Sequence, residues 1–475
     1  MRHPRVFRTP MIFAAIGTLS SCVDAPISPP VADMPKAFLG AARADNPAHV
    51  NEEWWQAFGD PELNKLMDLG KAKNPEIVQA AARLEQARAN VDLASADLLP
   101  AISGGVGSAR GDKYGLGTTS GSYGTASGSW TMDLFGGKRA QKRAAQARFD
   151  AAISDVDETT LNVLSSIGST YVDVRYYQEQ IALVRLTVEN RSRNLAMMRD
   201  SRDAGQTSQL QIVQAEQLVA KADAELPSLE VQLDDSIATL GSLTGASEQD
   251  LHAELSTKTH QPRPRYKIGI GIPTDVIRNR PDVRRAESNF IAAAEGVGIA
   301  KAALYPSLEL SGYVTPTAVV HSGHVNIWQI AANFTMPIFD GGKNKANLAS
   351  AKAQLQQAEA AWQAAVLNGI AAVEKALAAY NRDGRNIAAQ EKLAATSKEA
   401  LRLGRVSFDL GAGAVFNILD AERDYLEAQQ SRAQAIRDQA LHYIELCKAA
   451  PPARRHDASV TSAMKATSSS GRPKG

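Results

Sequence analysis

Two stretches of this chain, about 100–135 and 306–339, place apolar side chains at every second position. In the first, Ile102, Val106, Trp130, Met132 and Leu134 hold even numbers; in the second, Leu308, Leu310, Val314, Ile330, Phe334, Met336 and Ile338 do. Between them stand Ser103, Ser129, Thr131, Asp133, Glu309, Ser311, Asn333 and Thr335, which are small or polar. A period of two predicts strands with one apolar and one wet face. The glycine- and serine-rich stretch Gly104–Ser129 and the segment His321–Asn326 read as loops or frayed strand ends that join each pair into a hairpin. A one-sided sheet on a soluble domain gives the same alternation.

After Lys138 the period changes. Ile153, Thr160, Ile167, Val174, Ile181, Val188 and Leu195 recur every seven residues, with Val156, Val163, Thr170, Tyr177, Val184, Arg191 and Met198 three places on. Sustained heptads predict a very long helix packed side by side with others. Val366, Val373, Tyr380, Ile387, Ala394 and Leu401 repeat one stripe later in the chain. The companion stripe contains Gly369 and Asp383, which predicts looser packing there. Pro75 and Pro281 suit the first turn of a helix, and Pro227 should kink or split the helix that contains it.

These patterns are duplicated. Asn74–Pro100 aligns with Arg280–Pro306 at one offset, 281 − 75 = 206, and the same offset pairs Gly205–Glu216 with Gly411–Glu422. "WTMDLFGGK" (Trp130–Lys138) returns as "FTMPIFDGGK" (Phe334–Lys343). The chain is two tandem copies of one unit of about 206 residues, not a stack of short repeats.

Four strands are too few to close a membrane barrel, since single-chain barrels start at about 8 strands. If the strands cross lipid, several chains must share one barrel, because open sheet edges are not tolerated there.

Composition changes this picture little. With 52 basic and 51 acidic residues the formal charge is +1, which gives no electrostatic case for nucleic acid. Arg2, Arg5 and Arg8, the apolar run Met11–Leu19 and "SSC" have the layout of a secretory signal. "LSSC" (Leu19–Cys22) resembles the bacterial lipobox, which implies cleavage before Cys22 and acylation of that residue, palmitate included. Val23 in place of aspartate favours the outer membrane. Cys447 then reads as a small buried apolar residue, and Arg278, Arg280, Arg284 and Arg285 as a solvated helix start.

No catalytic constellation is present. Both "GGK" sites lack the first P-loop glycine, with Met132 and Pro337 in its place. His321 and His324 make a bare His-x-x-His without a further ligand nearby. The expectation is a protein that is not an enzyme, without cofactor or metal.

"WWQAFGDPELNKLMDLG" (Trp54–Gly70), "GIGIPTDVIRNRPDVRRAE" (Gly269–Glu287) and "FTMPIFDGGK" resemble the signature stretches of TolC-like outer-membrane efflux proteins, lipoprotein branch, which includes OprM and NodT. The match runs in order from about Trp54 to Ala449. The resemblance implies a mainly α protein with a small membrane β part: a trimeric α/β-barrel built from two tandem repeats, with four strands and long coiled-coil helices per chain. It implies a signal peptide at 1–21, a lipidated N-terminus and equatorial segment at 22–73, repeat 1 at 74–246, an equatorial linker at 247–279, repeat 2 at 280–446, and an equatorial end with a disordered tail at 447–475. Trp130, Met132, Leu134, Leu308, Leu310, Phe334, Met336 and Ile338 would be lipid-facing strand residues.

By the same resemblance, Gly205, Gly411 and Gly413 turn the periplasmic tips and meet an adaptor protein. Asp420 and Asn417 in the second repeat, opposite Gln211 and Gln214 in the first, become gate candidates, and three copies of Asp420 around one axis would attract cations. The implied function is a passive exit duct of a tripartite efflux system of RND type, partnered by an adaptor, an inner-membrane pump and outer-membrane lipid. A type I protein-secretion channel and a coiled-coil spacer lipoprotein stay open as alternatives.

Overall fold

The computed structural model describes residues 35, 37–39, 53–112, 118–203, 208–256, 260–265, 273–319, 323–410 and 415–452. The signal segment with Cys22, the tip glycines Gly205, Gly411 and Gly413, and the tail from Ala453 lie outside them. A 3-10 turn, Trp54–Phe58, precedes α1 (Pro61–Lys73) and α2 (Pro75–Ala96). Then come β1 (Ala101–Asp112), β2 (Thr118–Met132), α3 (Gly137–Asp203), α4 (Gln209–Asp223), α5 (Leu226–Thr244) and α6 (Glu248–Leu255). The second half supplies α7 (Pro273–Asn279), α8 (Pro281–Ala302), β3 (Ser307–Val319), β4 (Gly323–Thr335), α9 (Lys343–Asp409) and α10 (Val415–Ala449).

Two compact units emerge, and each takes segments from both repeats: 82–155 with 284–365, and 33–81 with 156–283 and 366–475. The first holds one four-stranded antiparallel sheet in the order β1-β2-β3-β4, so β1 and β4 are its edges. Where loops or frayed strand ends were expected, most of Gly104–Ser129 is regular strand, and β4 already begins at Gly323. Serine and glycine carry low strand propensity, but cross-strand pairing overrides it. Ser103 and Ser127 share a hydroxyl hydrogen bond of 2.8 Å, and Thr125 and Thr315 one of 3.0 Å.

Register keeps parity across the whole sheet. Ile102 faces Gly128, Trp130 faces Leu310, and Leu308 faces Phe334. Even numbers therefore oppose even numbers in all three ladders, so Tyr123, Tyr313 and Ile327 stand on one face, while Ile102, Val106, Trp130, Leu308, Leu310, Val314, Trp328, Ile330 and Phe334 share the other. That face is bare in the single chain: Val106 is 93%, Ile330 82% and Trp328 70% exposed. Leu134, Met336 and Ile338, expected in strands, lie beyond the ends of β2 and β4. Pro337 has no N–H to offer a ladder, and Asp133 turns its carboxylate to the coming helix.

Both hairpins hand over to a 67-residue helix, about 100 Å long at ~1.5 Å per residue. Gly136 at φ 79° and the pair Gly341 and Gly342 at 64° and 90° take left-handed turns that a side chain would resist. Asp133 then accepts from Lys138 N at 3.0 Å and Arg139 N at 2.9 Å. In the second copy Pro337 replaces that acid, and Asp340 caps instead, accepting from Gly342 N and Asn344 N, both at 2.9 Å. These are the orphan donors of a helix start. Nearby, the Trp130 indole donates to Leu98 O at 2.9 Å, and the Phe135 and Tyr305 rings stack at 4.9 Å.

The heptad reading of α3 is only partly right. Ile167, Val174, Ile181, Val163 and Val184 are buried, but Ile153 and Thr160 are half-buried, and Ala140, Ala144, Ala147 and Ala151 form the buried row at the helix start. Small side chains let neighbouring backbones come close there. In α9 Val366, Val373, Ile387, Ala394 and Leu401 are buried and Tyr380 half-buried. The looser packing expected at Gly369 and Asp383 is absent. A Cβ on Gly369 would stand 2.9 Å from Arg280 Nε, so the glycine makes room for that arginine. Asp383 accepts from or shares a proton with His442 Nδ1 at 2.9 Å. Arg280 is not solvated either: it pairs with Asp282 at 2.7 Å and donates to Ala449 O at 2.6 Å.

Pro227 splits the first return helix into α4 and α5, whereas α10 runs unbroken for 35 residues. The second unit's core gathers Trp54, Trp55, Phe58, Leu63 and Met67 with Ile167, Tyr171, Val174, Leu240, Tyr443, Ile444 and Cys447. Arg175 is fully buried among them, donating to Tyr171 Oη at 3.1 Å and Leu255 O at 2.8 Å. Cys447 is wholly enclosed, and burial pushes its thiol far above its usual range, which keeps it protonated and inert. Asn74, 2% exposed, caps α2 by accepting from Glu76 N and Ile77 N and donates to Leu243 O at 2.9 Å.

Candidate gate at the helix ends

The residues singled out as gate candidates fall on α4 and α10, next to the ends of α3 and α9. Gln211 is engaged locally. Its side chain accepts from Ser208 N at 2.8 Å while Ser208 Oγ accepts from Gln211 N at 3.3 Å, a reciprocal cap on α4. The Ser-x-x-Gln spacing of 208–211 carries that signal in the sequence. Gln214 and Asn417 are exposed. Asp420 is exposed too, with a carboxylate 3.3 Å from Arg423, which itself also pairs with Asp424 at 3.1 Å. An arginine three residues on offsets part of the acid's charge.

What lies buried beside these residues escaped the sequence reading. Glu422 is 2% exposed, and its Oε2 accepts from Asn194 Nδ2 at 2.7 Å. Its Oε1 has no hydrogen-bond partner; the nearest cation there is Arg405 Nη2 at 3.8 Å. Burial pushes the Glu422 carboxyl up, outweighing the pull of Arg405 and Arg191. Arg191, a break in the heptad stripe, donates to Leu218 O at 2.8 Å. Leu195, Met198, Ile212, Ala215 and Leu419 form a small apolar cluster around this polar centre.

Among the described residues no group of His, Cys, Asp or Glu could hold a metal ion, and no helix is long and apolar enough to cross a membrane. A four-stranded antiparallel sheet and two helices of 67 residues each are the elements of the TolC-like fold. The sequence profile of the family described as "Outer membrane efflux protein" matches residues 66–246 and 272–450. The chain belongs to that family, which consists of channel proteins.

Among its relatives, Nodulation protein T of Rhizobium leguminosarum bv. trifolii is 34% identical over 90% of this chain and 94% of its own length. Outer membrane protein OprJ of Pseudomonas aeruginosa is 28% identical over 89% and 91%. The open state of the Neisseria gonorrhoeae MtrE outer membrane channel superposes with a TM-score of 0.80 at 25% identity, covering 92% of this chain and 99% of that one. The outer-membrane channel OprN gives 0.79 at 24% identity, over 90% and 99%.

Proposed function

We propose that this protein is the exit duct of a tripartite, RND-type efflux system, passively conducting small molecules received from an inner-membrane pump and a periplasmic adaptor. Three copies complete a twelve-stranded barrel in the outer membrane, and their helices enclose a water-filled tube in the periplasm. Cys22 carries the lipid anchor. Gly205, Gly411 and Gly413 meet the adaptor, and Asp420 with Asn417, opposite Gln211 and Gln214, lines the constriction.

The observation that carries this reading is the parity of the sheet. Four strands gather most of their large apolar side chains on one exposed face and leave β1 and β4 as edges. Lipid covers such a face only if the edges are paired, and two strands of neighbouring copies are the partners at hand. Small molecules as cargo fit relatives named for pyoverdine export and for toluene efflux.

The test is direct. Purified in detergent, the protein should have the mass of a trimer and should conduct ions in a planar bilayer. A stable, non-conducting monomer refutes the proposal.

A further inference from the structure

Three positions of the first repeat and their equivalents at the offset of 206 line one cleft: Gln180 with Asn386, Glu225 with Ser431, and Ser228 with Gln434. The cleft lies within the second unit, between α3, α5, α9 and α10, and holds about 510 Å³. That is the size of a small-molecule site. Glu225 and Ser228 flank Pro227, where the first return helix is broken, whereas α10 passes the cleft unbent.

Two amides in this wall lack what amides need. Gln180 is 4% exposed and its Nε2 has no hydrogen-bond partner; the Oε1 of Gln390, also buried, has none either. A buried donor and a buried acceptor are costly to leave unpaired, and in one cleft they call for a molecule that supplies both missing bonds.

The rest of the lining says which molecule. Neither lysine nor arginine is among the lining residues, so phosphate, sulfate and carboxylate ligands find no countercharge. The two acids do not make a cation site. Asp438 accepts from Gln434 Nε2 at 2.7 Å with Arg437 Nη1 3.8 Å away, and Glu225 is exposed. What remains is a neutral wall of amides and hydroxyls beside one aromatic ring, Tyr176, which Tyr177 and the Arg437 guanidinium hold in place, each at 5.2 Å. A cation only donates and an anion only accepts, but a hydroxyl does both. A polyhydroxylated molecule can therefore serve Gln180 and Gln390 together.

We propose that this cleft binds one neutral saccharide, with Gln180 as donor, Gln390 as acceptor, and Ser228, Asn386 and Tyr176 completing the site. The proposal goes beyond the duct reading and stands independently of it, because a single chain supplies every group. A free sugar and the end of a longer glycan offer the same chemistry.

The test uses the full-length, lipidated protein, purified in a detergent without a sugar headgroup and dialysed to equilibrium against labelled maltose, lactose or mannobiose. At least one should bind saturably, one molecule per chain. Gln180→Met and Gln390→Met keep the side-chain length and remove one partner each, so each should weaken binding by about ten-fold. Without sugar, both variants should melt no lower than the wild type, since the amide each removes is left unpaired by the chain. Maltoheptaose separates the two sources: binding equal to that of maltose fits a glycan end, and its exclusion fits a free sugar, the site standing in either case.

Absence of saturable binding by all three sugars overturns the proposal, as does binding that both methionine variants leave unchanged. A lowered melting temperature in both variants assigns the amides to the fold and overturns it too. Saturable uptake of inorganic phosphate or spermidine in place of the sugars refutes the ligand class. Should the methionine variants fail to fold, Ser228→Trp at the exposed rim decides: lost binding supports the site, and retained binding refutes it.

Discussion

Gly168 sits in the middle of α3, where an alanine would ordinarily stabilise the helix by roughly 1 kcal/mol. Here the space is taken. A Cβ at this position would lie 2.9 Å from Trp54 Cη2 and 3.2 Å from both Ile444 Cδ1 and Met67 Cε. Met67 can bend away, but Trp54 is 2% exposed, set edge-to-face against Trp55 at 5.6 Å, and its carbonyl accepts from Tyr443 Oη at 3.2 Å. Forcing a methyl into a packed core costs typically ~1–3 kcal/mol. The clash should outweigh the helix gain, and Gly168→Ala should be less stable by up to about 2 kcal/mol. Gly384, in α9, has nothing within 4 Å of its ideal Cβ, so Gly384→Ala should gain what Gly168→Ala cannot. Thermal melting of the detergent-purified protein, followed by far-ultraviolet circular dichroism, reads both, at about 2–4 °C per kcal/mol for a large domain. A Gly168→Ala protein that melts at or above the wild-type temperature would show the reasoning about Trp54 to be wrong.

Other outcomes follow from the same geometry. Leu310→Arg on the even face should block membrane assembly, at a cost of about 2–4 kcal/mol near the bilayer midplane, while Gln329→Arg on the odd face should assemble; heat-modifiable trimer bands on gels distinguish them. Burial opposes ionisation of Asp133, but the N–H groups of Lys138 and Arg139 and the Arg139 guanidinium outweigh it and lower the acid's pKa. A lowered pKa in the folded protein means the cap stabilises fully above the unfolded value of about 3.9 and is lost as pH falls through the folded value. Protection of the Lys138 and Arg139 amides, taken against their intrinsic exchange at each pH, should be lost in the wild type only as pH falls below the usual carboxylate value of about 3.9, and should be missing at every pH in Asp133→Asn. Cys22→Ala should abolish incorporation of labelled palmitate; retained label would remove Cys22 as the anchor.

Periodicity made much of the architecture legible before any coordinates. Even-numbered apolar residues and seven-residue stripes report faces, and faces follow from geometry shared by every strand and helix. What stayed hidden depends on partners far away in sequence. Gly369 read as a weak point because the sequence does not show that Arg280 fills the gap. The glycine-rich part of β1 and β2 read as a loop because ladder pairing, not propensity, makes it strand. Glu422 went unremarked, since nothing local announces Asn194, 228 residues away. Ser208 and Gln211 are the exception: the Ser-x-x-Gln spacing alone carries the signal of their cap.

The shared parity of the three ladders restricts how this chain can change length. One residue added within a hairpin would rotate everything downstream from lipid side to water side, so insertions survive there only in twos. The two copies obey that arithmetic: Pro100 to Thr131 spans 131 − 100 = 31 steps and Pro306 to Thr335 spans 335 − 306 = 29. The unpaired addition, Asp340, falls past the last rung of β4, where no face remains to be inverted, and there it took over the capping post that Pro337 vacated.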